Sequence, residues 1–193
     1  MQKSHEKKLK KLLSNLDEFG NLKSRESTTI EFKEKFNMGS CTDYGKTLAS
    51  FANHRGGYII FGVSDSPRKI KGINYDKFNE LKQEKITQHL NKAFSPSLDW
   101  DMGLISLNSK HFGYIFVDET ARKPVVCKIN GNSIKDGDIY YRYRGQTKVI
   151  AFPELSKILE ESREKERNLW RKHIENIAQI GPQNIALVDL LSG

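Results

Sequence analysis

The chain has 193 residues, 37% of them hydrophobic, enough to bury one good core and too few for several. Its formal charge of +8 suits a polyanionic partner. Its two cysteines, Cys41 and Cys127, stand far apart in no CxxC spacing, which argues against a disulfide scaffold and a structural zinc site.

From the N-terminus, residues 5 to 19 place Leu9, Leu12, Leu13, Leu16 and Phe19 on one stripe. This predicts an amphipathic helix ended by Gly20-Asn21, with Lys7, Lys8, Lys10 and Lys11 as a solvated flank. The basic start, MQKSHEKKLKKLL, has no apolar core long enough for a secretory signal. No stretch reaches transmembrane length, so the expected setting is cytoplasmic and away from membranes. Thr29 to Lys33 is a short β-rich run. Asp43 to Asn53 sets Tyr44, Leu48, Phe51 and Ala52 at helical spacing, and Gly56-Gly57 stops that helix. Tyr58 to Val63 is a continuous apolar run, predicted as a strand covered on both faces.

Gly39 to Thr47 reads GSCTDYGKT and resembles a phosphate-binding P-loop. The P-loop pattern needs four residues between the first glycine and Gly-Lys, and here there are five. ATP is therefore not expected as a partner.

Past Asp65, Ser66-Pro67 makes a turn and Lys69 to Ile73 a short edge strand. Residues 75 to 94 are predicted as one helix with Phe78, Leu81, Ile86, Leu90 and Phe94 on its inner side, stopped by Pro96. Strand-like runs follow at Met102 to Leu107, Phe112 to Val117, Pro124 to Ile129 and Ile139 to Arg144. Asn130-Gly131-Asn132 and Asp136-Gly137 are hairpin-type turns among them. Cys127, inside PVVCKI, reads as a small buried hydrophobe. Such short connections predict an α+β fold, a mixed and mostly antiparallel sheet packed with helices. From Pro153 to about Ala178 one long charged helix carries Leu155, Ile158, Leu159, Leu169, Trp170, Ile174 and Ile177. It reads as a solvent-crossing helix or as a dimerisation surface. Gly181-Pro182 ends it, and the apolar tail NIALVDLLSG suggests a further domain beyond. The expected segments are 1–22 (flanking helix), 23–152 (core domain) and 153–193 (helix and tail).

Three carboxylates carry the candidate chemistry. Asp65 follows a buried strand, where rigid scaffolds present functional groups. Glu31 and Lys33 are two apart and share a strand face. Glu26 is five residues from Glu31, so the two converge only if the chain bends between them, for instance near Ser27. Carboxylates drawn together either hold a proton or bind a hard cation. By spacing alone, the favoured reading is Glu31 and Lys33 as a surface ion pair and Asp65 as a turn cap. No histidine pair has metal-ligand spacing, and only His54 stands near enough in sequence to test as a proton donor. Arg142 and Arg144 alternate with Tyr141 and Tyr143, a pattern suited to phosphate contacts and base stacking or to ordinary strand alternation.

The order E-x4-EFK, then S-FAN-x2-GGY-x3-GV-x-D, then DGDIYYRYRGQT, resembles the Schlafen AlbA-like (AlbA_2) domain across roughly residues 25 to 155. The resemblance implies a nucleic-acid-processing protein, in its sharpest form a divalent-metal-dependent endoribonuclease cutting structured RNA such as tRNA. On that basis Glu26, Glu31 and Asp65 are the catalytic and metal-holding trio, for magnesium or manganese, with Lys33 neutralising the scissile phosphate. Arg55, Arg68, Lys69, Arg142, Arg144 and Lys148 are the expected nucleic-acid contacts. Asn53, Gly56 and Gly57 are expected to support the site. Family nucleases are built from two lobes, so this single lobe is expected to form a homodimer. The alternative is a non-catalytic DNA- or RNA-binding module of a transcriptional regulator.

Overall fold

The computed structural model describes residues 2–180; the expected Gly181-Pro182 stop and apolar tail lie outside the described residues. The chain divides into two compact units, Met1–Ala151 and Phe152–Gly193. The first is an α+β domain with a four-stranded mixed sheet of order β1-β2-β5-β4. Its strands are β1 (Ile30–Lys33), β2 (Gly57–Phe61), β4 (Trp100–Leu107) and β5 (Lys110–Val117). Here β1 and β2 run parallel, and the remaining pairs are antiparallel. The parallel pair exists because helix α2 (Cys41–Ala52) carries the chain back between them. Two small ribbons complete the unit, β3 (Phe94–Ser95) with β6 (Val126–Cys127), and β7 (Tyr140–Tyr143) with β8 (Gln146–Val149).

Each face of the sheet has its own core. Ile59 and Phe61 of β2 enter the larger one with Tyr44, Leu48 and Phe51 of α2. Tyr58 and Ile60 enter the other with Leu9 and Leu13 of α1 (Gln2–Leu13). Strand alternation thus serves both cores, and β2 is buried along its whole length as its unbroken apolar run predicts. Each such fully buried side chain contributes about 1.5–3 kcal/mol.

Several boundaries differ from the sequence reading. The first helix stops at Leu13, not near Phe19, because the Asp17 carboxylate accepts from the backbone of Phe19 and Asn21 and folds the chain into a turn. Phe19 is left exposed. The helix expected over 75–94 is two, α3 (Tyr75–Asn79) and α4 (Gln83–Ala93). Asn74 caps α3 through Lys77 N, and Phe78 seats its ring on Gly113, where any Cβ would lie 2.4 Å from it. That seat fixes α3 on β5 independently of α4. The expected edge strand at 69–73 is reduced to isolated bridges of Lys69 with Asn21 and of Ile70 with Val63. Strand β8 has no counterpart in the sequence reading. It is created by the tight turn Arg144-Gly145, with φ of 37° and 90°.

Cys41 and Cys127 are buried free thiols. The second unit is described by helix α5 (Phe152–Ile180), on which Leu169, Trp170, Ile174 and Ile177 are exposed. No described helix is long and apolar enough to cross a membrane.

Candidate functional site

Because β1 and β2 are parallel neighbours, Lys33 stands opposite Phe61 and both strands leave the sheet at one edge. Asp65 follows β2 at that edge. Glu26 reaches it through a bend of the chain at Ser27. Ser27 N donates to Ile30 O (3.0 Å) and Thr29 N to Ser27 Oγ (3.2 Å), which folds the chain back. Phe32 N then donates to Glu26 Oε1 (3.4 Å). Glu26 and Asp65 thereby line one cleft of about 290 Å3, together with Arg25, Phe32, Ser64 and Arg68.

Glu31 does not line that cleft. It is 8% exposed, and both its oxygens are engaged. Oε1 accepts from Lys33 Nζ at 2.7 Å and Oε2 from Arg142 Nη2 at 2.5 Å. The field nevertheless joins the group. Burial opposes the charge on Lys33, but the bonded Glu31, then Glu26 and Asp65, outweigh it and hold the ammonium above its ordinary pKa. Glu26 is also raised, first by partial burial of its carboxyl and then by the Glu31 charge. Three carboxylates therefore act on one ammonium, with Glu31 in direct contact.

That arrangement corrects the expected three-ligand cage. Among the described residues no group of three or more Asp, Glu, His or Cys side chains is placed to hold a metal ion. A divalent cation needs several free oxygens, and Glu31 has none to offer while Lys33 and Arg142 hold it. As folded, the trio does not fit magnesium or manganese.

The raised Glu26 sets a pH dependence. Between its unfolded and folded pKa the native protein keeps a proton that the unfolded chain has lost, so stability falls as pH rises through that window. Glu26→Gln is expected to raise the melting temperature at neutral pH by about 1–2 °C. Near about pH 3, below the ordinary carboxylate range, the same substitution should leave it unchanged. Thermal melts of both proteins at the two pH values check this.

The expected nucleic-acid contacts divide. Arg68 lines the cleft, and Lys69 beside it is exposed. Arg144 is exposed in the β7–β8 turn, whose Gly145 lies against Glu26; a Cβ there would meet Glu26 O at 3.3 Å. Lys148 is exposed on β8. Arg55 stands before β2 while Asp65 stands after it, so the strand, roughly 13 Å of it, separates them. His54 shares that far end, its ring 5.0 Å from Tyr141.

Arg142 is the clearest correction. It is 2% exposed and faces inward with Tyr140, because the buried face of β7 is the one carrying the arginine. It donates to Ser27 O, Ile30 O, Thr147 Oγ1 and Glu31, and its guanidinium lies 5.0 Å from the Phe51 ring. It is a brace for the Ser27 bend and for β1, not a phosphate contact.

Asn53, at the C-cap of α2, is also a brace. Its amide donates to Val125 O and Tyr140 O and its oxygen accepts from Val125 N. Gly56 has φ of 71°, and a Cβ at Gly57 would meet the Phe51 ring and Thr29 O at 2.8 Å. Arg25 was not anticipated as a cleft residue; its adjacency to Glu26 was the available signal. The P-loop-like stretch forms a 3-10 turn (Met38–Ser40) and the start of α2, and Lys46 donates to Ser133 O from inside that helix.

Comparison with known proteins agrees with this architecture. A curated relative from Ureaplasma parvum serovar 3, named "Uncharacterized ATP-binding protein UU034", is 40% identical over 98% of this chain. The chain spans 58% of that relative's length. The crystal structure of the DIP2311 protein from Corynebacterium diphtheriae shares the fold, with a TM-score of 0.51 at 15% identity over 77% of this chain and 27% of that one. Residues 26–151 match the family described as "Schlafen, AlbA_2". The chain belongs to the Schlafen, AlbA_2 family.

Proposed function

We propose that this chain handles nucleic acid at the Glu26–Asp65 cleft, and that its sharpest activity is endonucleolytic cleavage of structured RNA such as tRNA. One observation carries the proposal: two carboxylates, two arginines and the field of Lys33 converge on a single cleft. Arg25 and Arg68 suit the non-bridging oxygens of a phosphate. Lys33 offsets negative charge on the phosphoryl oxygens as a bond breaks. Glu26, which keeps a proton to higher pH than an ordinary glutamate, suits general acid–base work. A requirement for magnesium or manganese is a matter for measurement, since Glu31 is closed to such an ion in this conformation. The proposed active species is a homodimer that supplies the second lobe, and α5 with its exposed Leu169 and Trp170 is the candidate contact.

A second possibility, a non-catalytic DNA- or RNA-binding module, is favoured by the pairing of Glu31 with Lys33 and Arg142. ATP binding, named in the relative, is not part of either proposal.

Labelled tRNA incubated with manganese, magnesium or a chelator separates the two. Cleavage is expected, and Glu26→Gln and Asp65→Asn should each lower its rate by about 100-fold or more. Light scattering on the cleaving sample gives the mass of the active species. Tight binding of RNA or duplex DNA with no cleavage under any metal would leave the binding module.

A further inference from the structure

A cavity of about 550 Å3, separate from the acidic cleft, is walled by residues 34–38 and 71–74, with Lys77, Phe78 and Leu81. We propose that it is a nucleotide subsite, which takes the base of an unpaired nucleotide next to the phosphate held at Lys33. This rests on the assignment of the chain as a nucleic-acid-handling domain.

Position is the first argument. The cavity wall begins at Glu34, directly after Lys33. Gly62 ties both sides of the hollow to the end of β1: its N–H donates to Lys33 O, and its carbonyl accepts from Lys71 N and Gly72 N. The Lys33 charge also reaches the Tyr44 hydroxyl, which accepts from Asn37 N in the cavity wall at 3.0 Å. Lys33 therefore ends the strand from which the wall of this hollow continues, and its charge acts on Glu26 and Asp65 of the acidic cleft. A strand with one phosphate at Lys33 has its neighbouring base within reach of the cavity.

Chemistry is the second argument. The floor is apolar, built from half-buried Phe36, Ile73 and Leu81 over buried Phe78. Phe36 is fixed by ring contacts with Tyr44, Phe61 and Phe78 at centroid distances of 5.3, 5.4 and 5.9 Å, so its ring is ordered before any ligand arrives. The rim holds three lysines, Lys35, Lys71 and Lys77, against one carboxylate, Glu34, which pairs with Lys71 at 3.0 Å. An occupant matching both features has a flat apolar part and a negative charge. Asn37 and Asn74 commit their carboxamide oxygens to Gly39 N and Lys77 N, which leaves their NH2 groups as donors toward a base edge. The volume lies within the range of small-molecule sites, and stacking with a cationic border is how single strands are held.

Free nucleotides share this chemistry, so the experiment separates the sources. Short single-stranded oligonucleotides, each with one abasic position, are titrated against the whole chain by fluorescence anisotropy, and AMP and ATP are titrated alone. One position is expected to lose about 10-fold in affinity when its base is removed, with the others changed less than about two-fold. Lys35→Glu with Lys77→Glu, both at exposed residues, should weaken binding and abolish that position dependence. Phe36→Leu, accepted only if its melt matches wild type, should abolish the position dependence alone. Strand binding that no abasic position alters would overturn the subsite and leave the nucleic-acid assignment standing. Failure of every strand to bind would overturn both. AMP or ATP binding as tightly as a strand would assign the hollow to a free nucleotide and overturn the proposal.

Discussion

Arg142→Leu is expected to destabilise the first unit by about 3–5 kcal/mol, because it strands a buried charge. The arginine is 2% exposed, and its removal leaves Glu31, itself 8% exposed, with Lys33 as its remaining ionic partner. The Ser27 carbonyl also loses its Arg142 donor, and the Ile30 carbonyl loses one donor while keeping Ser27 N. For a chain of this length the loss corresponds to a fall of about 6–20 °C in melting temperature. Chemical denaturation measures it directly. Two comparisons isolate the cause. Lys33→Met removes a partner whose side chain is 40% exposed, and should cost no more than about 1 kcal/mol. Glu31→Leu added to Arg142→Leu should recover part of the loss, since no charge is then left buried alone. An Arg142→Leu protein within about 1 kcal/mol of wild type would remove the brace role. The same brace holds the Ser27 bend, so this variant should also disperse the Glu26–Asp65 pair.

Asn53→Ala is expected to cost about 3–4 kcal/mol, with no contribution from charge. Asn53 is fully buried and serves three backbone groups, Val125 N, Val125 O and Tyr140 O. Each buried group left unsatisfied costs about 1–3 kcal/mol. Asn53→Asp should be no better. It keeps an acceptor for Val125 N but sets a carboxylate against two carbonyl oxygens that need a donor. Thermal melts give the size of the effect, and faster hydrogen exchange at the Val125 amide locates it. A loss below about 1 kcal/mol, with Val125 still protected, would count against the clamp.

These residues also show how far the sequence could be read. The β2 run from Tyr58 was legible because its apolar residues are continuous, and the α2 face because its spacing is helical. The helix at 75–94 was misjudged as one piece because its apolar spacing continues through Glu80–Lys82. The structure seats Phe78 on Gly113, a residue some 35 positions away, and leaves Lys82 extended between α3 and α4. Strand β8 was missed because Gln146–Val149 has no apolar run of its own; its pairing with β7 is imposed by the turn.

Asn53 was read only as support for the site, because no local spacing names the groups it serves. Its actual partners lie 72 and 87 residues on. Arg142 was read as a nucleic-acid contact because it alternates with tyrosines along its strand and arginines suit phosphate. A strand's alternation says which residues share a face, and it is silent on which face is buried.

The sequence by itself determined the α+β class, the family and the two-sided burial of β2, since each follows from local spacing or from a motif read along the chain. Tertiary structure alone decided that Glu26 and Asp65 share a cleft while Glu31 is held away by Lys33 and Arg142. The physical reason is range. Spacing constrains residues within a few turns or strand pairs, whereas the partner of a buried carboxylate is chosen by desolvation and charge among groups that meet only once the chain is packed. Glu31 meets Arg142 across 111 positions, and no local pattern links them.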